Sequence, residues 1–138
     1  MAFHWIGHDI NHILPKNWNE EIRSVASKFT TIKELPRTPI TSREPAEYST
    51  LKRGRVSGEV VARELPWLFN AYHTTFLELV AKHANEPISC ASDIRYGVVL
   101  NVAIGKMRFE CHVDSNPVEG ILFCTSQPPG SGGELRTH

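Results

Sequence analysis

The apolar residues of this chain change their period near Pro87, and that switch predicts helices ahead of it and a sheet after it. Ahead of the switch, Trp18, Ile22, Val25, Ala26 and Phe29 recur at helical spacing on one stripe. Asn17 stands at the amino-cap position, and Glu20 is placed for a capping-box exchange. A second helix is predicted from Pro66, which a first turn tolerates, to Lys82 or His83. Its apolar face holds Leu68, Phe69, Tyr72, Phe76, Leu79 and Val80, and Asn85 and Pro87 stop it. Beyond Pro87, residues 94–102 hold Tyr96, Val98, Val99, Leu100 and Val102, the composition of a strand. Gly105 marks a turn, residues 107–114 alternate, residues 120–125 give another short apolar strand, and residues 127–133 are rich in turn formers.

Between the two helices, residues 30–58 carry Pro36, Pro39, Pro45, Gly54 and Gly58 among scattered charges. They are predicted to be a long irregular connection over the surface. Loops of that length often bind ligands, and this one contains Lys33, Arg37, Arg43, Lys52, Arg53 and Arg55. Contact with an anionic substrate is one reading of those cations; a solvated basic surface is the other.

With 138 residues, of which 41% are hydrophobic and 22% charged, the composition fits one globular domain. Residues 1–90 are expected to form a mainly helical support and residues 91–138 the sheet. The 15 basic and 15 acidic side chains cancel, so no global field draws the chain to nucleic acid or to an anionic membrane surface. No apolar run approaches the roughly 20 residues that span a bilayer, and the amino end lacks a secretory pattern, so the cytoplasm is the expected location. Cys90, Cys111 and Cys124 are odd in number and include no CxxC pair, which argues for free thiols over a disulfide framework or a thiolate zinc site. His4, His8 and His12 recur every fourth residue, but Gly7 and Pro15 interrupt the helix that would align them for a metal. His73 and His83 read as ordinary polar positions on or beside the second helix.

The segment Met107-Arg108-Phe109-Glu110-Cys111-His112-Val113-Asp114 places Arg108, Glu110, His112 and Asp114 on one face of a strand. His112 and Asp114 then project together with Cα atoms about 7 Å apart, within reach of one metal ion. An imidazole nitrogen paired with a carboxylate oxygen suits a divalent first-row metal. Two histidines and one carboxylate on one face would leave positions open for Fe(II) oxygen chemistry. A His-x-Asp triplet alone is a short pattern that recurs by chance, and a polar strand face is more often simply solvated.

The surrounding order adds to it. Arg95-Tyr96-Gly97-Val98-Val99-Leu100-Asn101-Val102, Gly105, the strand ending in His112-Val113-Asp114, Gly120-Ile121-Leu122-Phe123 and Gly130-Ser131-Gly132-Gly133-Glu134-Leu135 follow one another in a sequence that resembles the Fe(II)- and 2-oxoglutarate-dependent dioxygenases, most of all those of prolyl-hydroxylase type. The resemblance covers roughly residues 94–135, under a third of the chain. It implies an α+β fold in which amino-terminal helices pack on a double-stranded β-helix, or jelly roll. It also implies His112 and Asp114 as iron ligands, 2-oxoglutarate as co-substrate, and a small-molecule or amino-acid-like substrate. Asn101 lies one strand earlier, where some relatives set a polar residue against 2-oxoglutarate; pairing with nearby backbone is its plain alternative. Arg108 and Glu110 either line the cavity or pair with each other near solvent. Asp114 fits a hydroxylase better than the halogenating relatives, which lose this carboxylate.

The family completes its site with a second histidine several tens of residues beyond the aspartate, then an Arg or Lys that grips the distal carboxylate of 2-oxoglutarate. His138 is the only histidine after Asp114, and Arg136 the only later cation. Both arrive too early in the strand order, and a frayed terminus is a poor support for a ligand, so neither is assigned those roles. The expectation is an incomplete β-helix that is weakly active or inactive alone, with exposed edges that a homodimer could complete. The alternative is a non-catalytic binding or interaction domain that retains part of the oxygenase fold.

Overall fold

A computed structural model describes residues 5–35, 51–105, 107 and 116–130. The chain is α+β: helices packed with a small antiparallel sheet. Helix α1 spans Trp18–Phe29, as the stripe predicts, with Ile22 and Val25 buried. Asn17 stands at its amino cap without a side-chain bond, while Glu20 and Glu21 in the first turn and Lys28 in the last complement the helix dipole. The helix stops at Thr30, where the backbone turns extended and the hydroxyl donates to the Ala26 carbonyl at 2.5 Å.

Strands β1 (Thr31–Leu35) and β2 (Leu51–Val56) pair antiparallel, and β2 pairs in turn with β3 (Leu100–Val102), so β2 is the central strand. Two of the three strands therefore lie inside the stretch expected to be irregular. Lys33, Glu34, Lys52, Arg53 and Arg55 disguise the alternation there: of β2 only Leu51, Gly54 and Val56 are buried, and Leu51 lies on the opposite face from the other two. The short helix α2 (Gly58–Glu64) also lies in or beside that stretch, capped by Ser57, whose hydroxyl accepts from the Val60 N–H at 3.5 Å. A Cβ on Gly58 would overlap the Ile94 carbonyl oxygen, so this position admits no side chain without moving the neighbouring segment.

The predicted second helix is present as one run in three parts: α3 (Pro66–Ala71), a π turn (Tyr72–Phe76) and α4 (Leu77–Ala81). Within the widened part, His73 Nδ1 lies 2.9 Å from the Phe69 carbonyl oxygen and Thr74 Oγ1 donates to the Asn70 carbonyl at 2.8 Å, side-chain bonds that compete with the α-helical ladder. Trp67 Nε1 donates to Glu21 Oε2 at 2.7 Å and ties α3 to α1.

The core joins Ile22 and Val25 of α1, Val56 of β2, Val61 of α2, Leu65, Leu68 of α3 and Leu100 of β3. Leu122 and Cys124 pack against it from the later segment. Two expected strands differ. Residues 94–97 form a helical turn, α5 (Ile94–Gly97), because Asp93 caps it by accepting from the Arg95 N–H and holds the Arg95 guanidinium at 2.7 Å. Local bonding to Asp93 thus outweighs the β-propensity of the apolar residues that follow, and only Leu100–Val102 remains strand. Residues 120–125 lie in no strand. Their side chains still alternate: Leu122 and Cys124 turn inward, while Ile121 (53% exposed) and Phe123 (62%) face out. Among the described residues the sheet is open and three-stranded.

Candidate functional site

Beyond β3 the chain makes a tight turn ahead of the segment expected to carry the chemistry. The Met107 N–H donates to the Ile104 carbonyl at 3.3 Å, and Gly105 takes φ +62°, a left-handed conformation that favours glycine. His112 and Asp114, with Arg108, Glu110, Cys111, Arg136 and His138, lie outside the described residues. Asn101 lies within them. It is exposed at the middle of β3, directly opposite Arg55 of β2. After the motif, Asn116 Nδ2 donates to Glu119 Oε1 at 3.2 Å, and the chain then returns to the core. Asn19 of α1 donates to the Cys124 carbonyl at 2.6 Å and anchors that return.

Among the described residues no three His, Cys, Asp or Glu side chains converge on a possible cation position. His8 and His12 do not share a helix, since only Asn11–Ile13 forms a single 3-10 turn there. The His8 ring instead lies 5.1 Å from that of His83, and His73 packs between Phe69 and Tyr72 at 4.5 and 4.9 Å. Cys90 and Cys124 are free and half-buried, and burial pushes the Cys124 thiol up from its ordinary value. No described helix is long and apolar enough to cross a membrane.

Polar density instead collects on the sheet face that carries Arg53 and Arg55, opposite the one from which Val56 enters the core cluster, although Leu51 at the end of that face is buried. Arg55 lies over the Tyr96 ring at 5.2 Å, and its Nη2 donates to the Arg95 carbonyl at 2.9 Å. Burial, and then the neighbouring Arg53 cation, hold Arg55 below the usual guanidinium value. Arg95 is driven the other way by its bonds to Asp93, and those same bonds lower the Asp93 carboxyl. The sequence contains every one of these cations. What it hides is their arrangement, because the strand that gathers them reads as a loop.

No protein-family model, curated protein or solved structure matches this chain.

Proposed function

We propose that this chain is an Fe(II)- and 2-oxoglutarate-dependent dioxygenase of the hydroxylase type, acting on a small molecule or an amino-acid-like group. The observation that carries the reading is the ordered series of sequence parts around His112-Val113-Asp114, from Asn101 through Gly105 to Gly133-Glu134-Leu135. The helix-supported antiparallel sheet and the Gly105 reversal just ahead of the motif are compatible with the double-stranded β-helix that this reading requires. The donor set fits the metal in kind, since one imidazole and one carboxylate are two of the three protein ligands such iron takes. Bound iron with 2-oxoglutarate and oxygen supplies an oxidant able to take hydrogen from an unactivated C–H bond. The part of His112 and Asp114 is to tether the metal without donating or accepting a proton, and that of Asn101 is to hold a co-substrate oxygen by hydrogen bonding.

The test is anaerobic titration of the full chain with Fe(II) and then 2-oxoglutarate. A weak visible charge-transfer band that is lost in His112→Ala and in Asp114→Ala supports the reading. Unchanged metal affinity in both variants sinks it.

A second reading, a non-catalytic interaction domain retaining part of the oxygenase fold, draws on Ile121 and Phe123, which present apolar surface from an extended segment outside the sheet. Metal-independent self-association, abolished by Phe123→Ser with no band in the titration, favours that domain over the enzyme.

A further inference from the structure

Alternation along β2 sends Leu51, Arg53 and Arg55 to one face and Lys52, Gly54 and Val56 to the other, and Val56 belongs to the core. Register then sets Lys33 of β1 directly opposite Arg53, and both Thr31 and Asn101 opposite Arg55. Like charges directly opposed across an antiparallel pair repel and weaken the sheet. The adjacent pair does the reverse, with Lys52 Nζ 3.8 Å from Glu34 Oε1.

Two other described guanidinium groups are neutralised: Arg95 by Asp93, and Arg63 by Glu64. Among the described residues, Lys33, Arg53 and Arg55 have no acidic partner. Arg55 is held in place by Tyr96 and the Arg95 carbonyl, yet its Nε is buried without a hydrogen-bond partner. A guanidinium held in place, beside a second and third cation that repel, is arranged for a group that accepts several hydrogen bonds and carries negative charge. Asn101, exposed across from Arg55, adds a neutral donor. The patch is compact and the chain's formal charges sum to zero, which suits a small ligand and not the repeated phosphates of a nucleic acid.

We propose that the accessible part of this sheet face, away from buried Leu51, binds a small dianionic oxyanion, a phosphomonoester or a dicarboxylate, gripped by Arg53 and Arg55 and flanked by the exposed Lys33 and Asn101. The proposal shares Asn101 with the oxygenase reading but rests on Lys33, Arg53 and Arg55 and involves neither His112 nor Asp114, so a failed iron titration leaves it standing and a failed anion titration leaves the oxygenase reading standing.

Calorimetric titration of the full chain with inorganic phosphate and with malonate, at ionic strength held constant with chloride, tests it. Saturable binding of one equivalent is expected, weakened about tenfold in Arg53→Gln and by a smaller factor in Lys33→Gln. Arg23→Gln, exposed on α1, changes it by less than about twofold. Preference for phosphate identifies a phosphomonoester site, and preference for malonate a dicarboxylate site. Without any anion, Arg53→Gln raises the melting temperature, because it removes the Lys33 repulsion. No saturable binding of either anion, an equal loss in Arg23→Gln, or a lowered melting temperature of unliganded Arg53→Gln would overturn the proposal.

Discussion

Helices α1 to α3 and the segment of residues 116–124 supply side chains to the same core, but they are held there by different means. The helices satisfy their own backbones, so their stripes need only meet: Ile22, Val25, Val61 and Leu68 are buried on elements that stand up locally. The later segment has neither helix nor ladder. It reaches the core through half-buried Leu122 and Cys124, and through one carbonyl that Asn19 caps from α1. An element that pairs its own backbone can afford exposed flanks, whereas an extended segment depends on donors lent by another.

The difference can be probed at its strongest point first. Leu65 joins α2 to α3 and is 1% exposed, so Leu65→Ala empties a site that two short helices share. Denaturant unfolding is expected to show a loss of about 2–5 kcal/mol, the range for buried leucine truncations. A loss below about 1 kcal/mol would mean that the helical layer collapses onto the void, and the contrast would weaken.

At the other end of the contrast, Asn19→Ala removes the anchor of the later segment and leaves the Cys124 carbonyl short of a donor. Stability should fall by about 1 kcal/mol, the net worth of one hydrogen bond. The more telling readout is the Cys124 thiol, followed by alkylation and peptide mapping. Burial raises its pKa and slows its reaction in the parent chain, and the variant should react faster while Cys90 keeps its rate. Equal rates before and after would show that the packing of Leu122 alone holds the segment.

The smallest effect is expected at α5, a single turn held by an exposed ion pair. The Arg95 bonds lower the Asp93 carboxyl in the folded state. Its contribution is therefore present above the ordinary carboxylate pKa of about 3.9 and is lost as pH falls through the depressed folded value. Asp93→Asn should make unfolding slightly less steep with acid over that window and leave the neutral-pH slope unchanged. An identical acid limb in parent and variant would remove Asp93 from the account.

The sequence makes legible what has a period of its own. The α1 stripe, the start of the next helical run at Pro66 and the turn at Gly105 can all be read directly, since each rests on contacts within a few residues. The central strand cannot, because its buried residues Leu51, Gly54 and Val56 fall on both faces and are interleaved with Lys52, Arg53 and Arg55, which pattern as solvent-exposed loop. Residues 94–97 mislead in the opposite sense: their apolar and aromatic side chains favour a strand, and one aspartate ahead of them nucleates a helical turn. Of the candidate metal site, the spacing of His112 and Asp114 is visible in the alternation of residues 107–114. Asn101 is exposed on β3, and the ligand pair itself lies outside the described residues.

The order of the strands carries a further consequence for assembly. β1 and β2 are successive strands, but β2 and β3 meet only after the chain has passed through α2, α3, α4 and α5. Closing that detour costs chain entropy before any ladder bond is gained. The favoured route therefore zips the first two strands and gathers the helices on them, and adds Leu100–Val102 last. Once docked, that strand is held by Leu100 in the core, whereas β1 contributes no buried side chain, so the edge formed first is the one least anchored by packing.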